Sequence, residues 1–139
     1  MSTPMTESSV KPRALQTRGT RKALLVIDDE KLVRWSIREA LRPEYRIRVA
    51  SSAEDGLRVL QTMKRLDGIL VDIRLPGMDG LEFIRRARAL RPDAKVFVMT
   101  GHSQPTTARD AFGVQADAYI PKPFSLDTIR DMIASHLGG

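Results

Sequence analysis

The sequence predicts an α/β fold, a doubly wound parallel sheet of five strands with helices on both faces. Two observations carry the prediction. Short apolar runs alternate with amphipathic helical segments five times over, joined by short connections, as in successive parallel βαβ units. The runs also end on polar residues capable of chemistry: Asp28 and Asp29, Asp72, Thr100 and Lys122. In an open parallel sheet such residues gather at the carboxyl edge, where ligand sites form.

Residues 1–22 are rich in Ser, Thr, Pro and basic residues and lack any apolar period, so a disordered basic extension is expected before a domain spanning 23–139. Ala23–Ile27 is the continuous apolar run of a strand buried on both faces. Glu30–Leu41 places Val33, Ile37, Ala40 and Leu41 on one helical face and stops before Pro43. Arg46–Ala50 alternates as a less buried strand. Ala53–Met63 is a helix with Ser51 or Ser52 available as N-cap and Leu57, Leu60 and Met63 on its stripe. Asp67–Val71 is a second buried strand, and Arg74–Gly80 carries turn signals. Leu81–Leu90 is a helix that stops before Pro92, and Lys95–Met99 is another buried strand. Residues 104–112 form the weakest helical segment, with Pro105 near its start and Gly113 after it. Ala118–Ile120 is a short strand, and Leu126–Leu137 closes the chain as a helix capped by Ser125.

Length and composition restrict the classes. A chain of 139 residues fits one domain with a real core. It has no cysteine, hence no disulfide framework and no thiolate metal site. No apolar stretch has the length of a membrane span and no signal segment opens the chain, so no membrane insertion and a cytoplasmic location are expected. Of the formal net charge of +6, residues 1–22 hold five cations against Glu7 alone. These cations are spread out, without interleaved aromatics and without helix-turn-helix or zinc spacing, so nucleic acid is not the expected partner.

The strand-end residues define the chemistry. Three carboxylates in one crevice repel strongly and coexist with the help of a hard divalent cation. A Lys and a Thr opposite them suit a small, highly charged anion, and phosphate is the obvious one. Taken singly each residue has an ordinary explanation. Asp29 before Glu30 is placed to cap the following helix, which accounts for one carboxylate of the pair and not both. Asp72 alone would be a turn residue before Pro76-Gly77, and Lys122 alone a surface lysine. His136 is expected to be solvated near a helix end.

Asp28-Asp29-Glu30, Asp72 with the Leu75-Pro76-Gly77-Met78-Asp79-Gly80 loop, Thr100-Gly101 and Lys122-Pro123-Phe124, in that order and spacing, resemble the receiver domain of two-component response regulators over residues 23–137. The Val33-Arg34-Trp35 and Glu39-Ala40-Leu41 segments are most similar to receivers of nitrogen-regulation type. The resemblance implies a flavodoxin-like sheet in strand order 2-1-3-4-5. It assigns Asp72 as phosphoacceptor and Asp29 as a direct Mg²⁺ (or Mn²⁺) ligand. Asp28 is then a ligand acting through water, and the backbone carbonyl of Arg74 completes the coordination. Thr100 and Lys122 bind phosphoryl oxygens, and Tyr119 is the aromatic that follows the switch. A sensor histidine kinase or histidine phosphotransfer protein is the implied donor, and a downstream protein the implied reader. Such a domain promotes its own phosphorylation and slow dephosphorylation without being an enzyme in the ordinary sense.

The resemblance also frames finer expectations. Arg74 and His102, each two residues beyond a site residue, border the path of the hydrolytic water, and their bulk predicts slow self-dephosphorylation. Trp35 lies on the helix face away from the core stripe and is expected to contact the phosphoryl-donating partner. The Lys122-Pro123 bond is placed to be cis, aiming the ammonium into the site. Around residues 101–116 the chain departs from the family, with Gln115 where a helix-ending glycine is usual, so that helix is expected either to end early at Gly113 or to be unusually mobile. Other readings are a phosphorylation-independent pseudo-receiver scaffold and a receiver excised from a larger transcription activator. With no output domain after Leu137, action through a partner is expected. A flavin carrier would need a phosphate-cradling loop where Asp28-Asp29-Glu30 stands, and an aspartyl phosphohydrolase would need its two Asp residues one apart rather than adjacent.

Overall fold

A computed structural model of the chain describes residues 21–74, 78, 80–101 and 116–138. Among them the element order is β1 (Ala23–Ile27), α1 (Lys31–Leu41), β2 (Arg46–Ala50), α2 (Ala53–Thr62), β3 (Gly68–Asp72), α3 (Gly80–Leu90), β4 (Lys95–Thr100), β5 (Ala118–Pro121) and α4 (Leu126–Leu137). The five strands pair in parallel in the order β2-β1-β3-β4-β5, the order 2-1-3-4-5 that the resemblance implies. The segment 104–112 and its expected end at Gly113 lie outside the described residues, as do Gln115, His102 and the Pro76-Gly77 turn.

Strand alternation divides the core into two layers. Leu25, Ile27, Ile69, Val71, Val96 and Val98 face α2 and α3, where Leu57, Leu60, Phe83, Ile84 and Ala87 meet them. The intervening residues Leu24, Val26, Leu70, Phe97, Met99 and Ile120 face α1 and α4, against Ile37, Leu41, Ile129 and Ile133. A period of two on each strand therefore feeds both helical layers, which is why the central strands are apolar throughout. Complete burial of one such Leu or Ile contributes about 1.5–3 kcal/mol.

The helix ends follow local chemistry. Ser52 accepts from the Asp55 N–H (3.1 Å) and Ser125 from the Thr128 N–H (3.0 Å), each acting as the expected N-cap. Gly138 closes α4 at φ 70°, a left-handed conformation in which a side chain would be strained. The start of α1 differs from expectation. Its N-cap is Glu30, without a side-chain cap bond, and Asp28 rather than Asp29 receives the Glu30 N–H (2.8 Å). That two-residue turn satisfies the amide and leaves the Asp29 carboxylate uncommitted to capping. Arg21 and Lys22, placed in the extension by the sequence, are already tied to the domain. The Arg21 guanidinium donates to the carbonyls of Arg42 (3.1 Å) and Pro43 (3.3 Å), and the Lys22 carbonyl accepts from the Arg46 N–H (2.9 Å). His136 is exposed as expected, but its ring also meets Phe97 edge-on at 5.4 Å.

Candidate functional site

Register brings the strand-end residues together. β1 and β3 are neighbours with Ile27 opposite Val71, so Asp28 and Asp72 emerge side by side. β4 lies beyond β3, and Thr100 at its end stands opposite Pro121 of β5, so Lys122 follows directly. The carboxylates of Asp28, Asp29 and Asp72 lie within 4.8 Å of one another; Asp28 and Asp72 are buried and Asp29 is exposed.

Asp28 is held at four points. Its N–H donates to the Ala50 carbonyl (3.2 Å) and its own carbonyl accepts from Arg34 Nη1 (2.9 Å). One carboxylate oxygen takes the Glu30 N–H, and the other accepts from Lys122 Nζ at 3.0 Å. Asp72 is held likewise: Oδ1 accepts from the Arg74 N–H (2.9 Å) and Oδ2 from Lys122 Nζ (2.9 Å). Lys122 thus bridges the two buried acids, with Glu30 Oε1 3.9 Å away. Its own N–H donates to the Thr100 carbonyl (2.7 Å), and the Lys122-Pro123 bond is cis.

Electrostatics explain why the ammonium belongs there. Burial pushes the Asp28 carboxyl up from its ordinary value; the Glu30 N–H and Lys122 oppose the rise, and the Asp72 charge adds to it. On Lys122 burial is the largest influence and acts downward, but the bonds and charges of Asp72 and Asp28 outweigh it, so the ammonium is held above its ordinary value. One ammonium still faces three carboxylates. An all-oxygen donor set with excess negative charge fits a hard divalent cation such as Mg²⁺, which needs few protein ligands because it retains water.

The structure also gives the surroundings of the other expected residues it describes. Thr100 is completely buried. Tyr119 is half-buried against the α2/α3 layer, its hydroxyl accepting from the Ala116 N–H (3.2 Å). Arg74 is exposed, and its guanidinium lies across the backbone of Gly101: a Cβ there would come within 2.6 Å of Nη2. Trp35 is 60% exposed on α1, and the neighbouring Leu32 is 76% exposed, a pairing that sequence inspection missed although i, i+3 spacing would have revealed it. Arg34 was missed too. A cation in the first turns of a helix opposes the helix dipole, and that unfavourable placement was the available signal.

An open parallel sheet of this order, with an acidic cluster and a lysine at its carboxyl edge, defines the class of receiver-type signalling domains. Residues 24–134 match the response regulator receiver domain, and the chain belongs to that family. The DNA-binding transcriptional regulator NtrC of Escherichia coli K12 is 36% identical over 109 residues, covering 77% of this chain and 23% of NtrC. The chain thus spans under a quarter of that relative's length. Sporulation initiation phosphotransferase F of Bacillus subtilis is 29% identical over 115 residues, covering 82% of this chain and 92% of that protein. Among solved structures, a CheY-like receiver domain protein of Methanospirillum hungatei superposes with a TM-score of 0.77 at 30% identity, covering 86% of this chain and 95% of that one. A response regulator protein from Burkholderia pseudomallei, solved with a phosphorylated aspartic acid, a calcium ion and citrate, gives a TM-score of 0.70 at 32% identity, covering 84% of this chain and 66% of that one. Among the described residues no helix is long and apolar enough to cross a membrane.

Proposed function

We propose that this chain is a phosphoacceptor receiver that takes a phosphoryl group onto Asp72 from a histidine kinase or histidine phosphotransfer protein. The observation that carries the reading is the Lys122 ammonium bridging Asp28 and Asp72 within a three-carboxylate cluster. The response regulator protein from Burkholderia pseudomallei, solved with a phosphorylated aspartic acid and a calcium ion, supports it.

In the transfer an Asp72 carboxylate oxygen attacks phosphorus in line, the bond to the donor nitrogen breaks, and the donor leaves with that electron pair. Asp28, Asp29 and Asp72, with the Arg74 carbonyl, would hold Mg²⁺, which supplies charge neutralisation on the phosphoryl oxygens. Lys122, already at the acceptor, follows the transferred group as a mobile point charge. Thr100 moves toward the new oxygens, and Tyr119 answers by changing its position against the sheet, which alters the face a downstream protein reads. Intact mass after incubation with acetyl phosphate tests the reading. One added phosphoryl group is expected with Mg²⁺ and none with chelator; an unmodified chain under both conditions rejects it.

Two side chains adjust this cycle. The Arg74 guanidinium lies over Gly101, next to Thr100, and in this reading screens Asp72 from the hydrolytic water. Arg74→Asn is expected to speed loss of the phosphoryl group about three- to tenfold, a barrier change of roughly 1 kcal/mol. An equal or slower decay followed by mass would contradict the screening role. Trp35 and Leu32 offer an apolar patch to the donor protein. Trp35→Ala is expected to lower transfer from the cognate kinase about tenfold or more while leaving acetyl phosphate uptake unchanged; equal kinase transfer would remove the contact.

A further inference from the structure

A strongly cationic surface lies at the other end of the sheet. β1 and β2 begin in register, Ala23 opposite Arg46, and beside this amino edge opens a cavity of about 770 Å³. Seven of its twelve lining residues are Arg or Lys and none is Asp or Glu. They converge from separate parts of the chain: Arg21 ahead of β1, Arg38 from α1 and Arg42 just beyond its end, Arg46 and Arg48 from β2, Lys64 and Arg65 from the turn after α2. Arg42 is paired with Glu39 and Arg65 with Asp67. Among the described residues, no carboxylate pairs with Arg38, Arg46, Arg48 or Lys64.

Charged side chains on an edge strand guard against edge-to-edge pairing, and Arg46 and Arg48 by themselves suffice for that purpose. Guarding does not explain why α1 and the turn after α2 turn further cations toward the same concavity. Like charges gathered this way repel one another, and a bound anion relieves the repulsion. Guanidinium forks suit phosphate oxygens in bidentate geometry. The concave shape, rather than an extended stripe, suits a compact ligand. The sole aromatic in the lining is Tyr45, which is 2% exposed and cannot offer a face for base stacking.

We infer that this cavity binds a compact chain of phosphates, the group shared by inorganic polyphosphate and nucleoside triphosphates. The inference stands apart from the phosphoacceptor reading. β1 separates the cavity from Asp28 by five residues, about 16 Å of strand, so the ligand and the phosphorylation site do not overlap.

The test is isothermal titration of the full chain with sodium tripolyphosphate at low salt and without Mg²⁺, which would neutralise the ligand. Saturable one-to-one binding is expected, weakening as salt rises. Arg38→Gln/Arg48→Gln should weaken it about tenfold or more. A control pair on α3, Arg85→Gln/Arg86→Gln, removes the same formal charge elsewhere and should leave affinity within about twofold. Circular dichroism and acetyl phosphate uptake establish that both variants are folded; if the cavity pair fails to fold, Lys64→Gln with Arg46→Gln replaces it. Equal affinity for ATP and tripolyphosphate means the phosphate chain alone is read; tighter ATP binding means a nucleoside adds contacts. Either result supports the site. Absence of binding, equal weakening in the control pair, or tighter binding of a single-stranded oligonucleotide would overturn it.

Discussion

Asp72→Asn is expected to abolish the phosphoryl adduct completely while leaving the fold in place. The two outcomes separate because the amide keeps half of what the carboxylate does. An Asn oxygen still accepts the Arg74 N–H that now reaches Oδ1, so the turn after β3 keeps its anchor. The β3 pairing is made by backbone and by Ile69, Leu70 and Val71, none of which changes. What disappears is the nucleophile, since a neutral amide oxygen does not displace the donor. The charge of the cluster also falls, and one of the two acids that Lys122 bridges is gone. Mg²⁺ should therefore raise the melting temperature of the variant less than that of the parent protein, because fewer anionic oxygens remain to bind it. An adduct of normal stoichiometry on Asp72→Asn would move the acceptor elsewhere, with Asp28 and Asp29 the next candidates.

Much of this arrangement is legible in the sequence. The central strands announced themselves because a parallel strand covered on both faces has no polar position to spare, and Leu24 through Ile27 has none. The acids could be placed at one edge because parallel strands all end on the same side. Boundaries moved by a residue or two where the strand runs on into the site: Asp72 and Thr100 proved to be the last residues of β3 and β4 rather than the first of their loops.

The fine wiring was less legible. Whether Asp28 or Asp29 would take the Glu30 N–H depends on the direction in which the chain leaves β1, and two adjacent Asp residues look alike in sequence. The reach of Arg34 to the Asp28 carbonyl depends on how α1 packs, and the same holds for Arg74 over Gly101. The cationic cavity escaped for a related reason. Its arginines are scattered along residues 21–65 and look like a solvated surface until the sheet aligns them.

Lys122→Met is expected to destabilise the protein without metal by about 3 kcal/mol, the lower end of the range for removing one partner from a buried ionic cluster. Methionine keeps the unbranched stem of lysine, one atom shorter, but returns no charge. Asp28, fully buried, and Asp72, nearly so, would then face each other with Asp29 beside them and no cation between. The loss is not larger because the Glu30 and Arg74 N–H groups still bind one oxygen of each acid, and because exposed Asp29 keeps the cluster open to water on one side. The sign of the pH response follows from Asp28. Burial already raises its pKa, and losing Lys122 removes a group that opposed the rise. A carboxyl whose folded pKa lies above its unfolded value stabilises the fold on protonation, so the deficit of the variant should shrink as pH falls. Mg²⁺ should shrink it as well by stabilising the variant more than the parent, because a divalent cation supplies the charge that Lys122 no longer does. Urea unfolding midpoints with and without Mg²⁺ at neutral and mildly acidic pH measure all three effects. A variant as stable as the parent without metal would mean that Lys122 does not balance the acids, and that the cluster tolerates its own repulsion through hydrogen bonds alone.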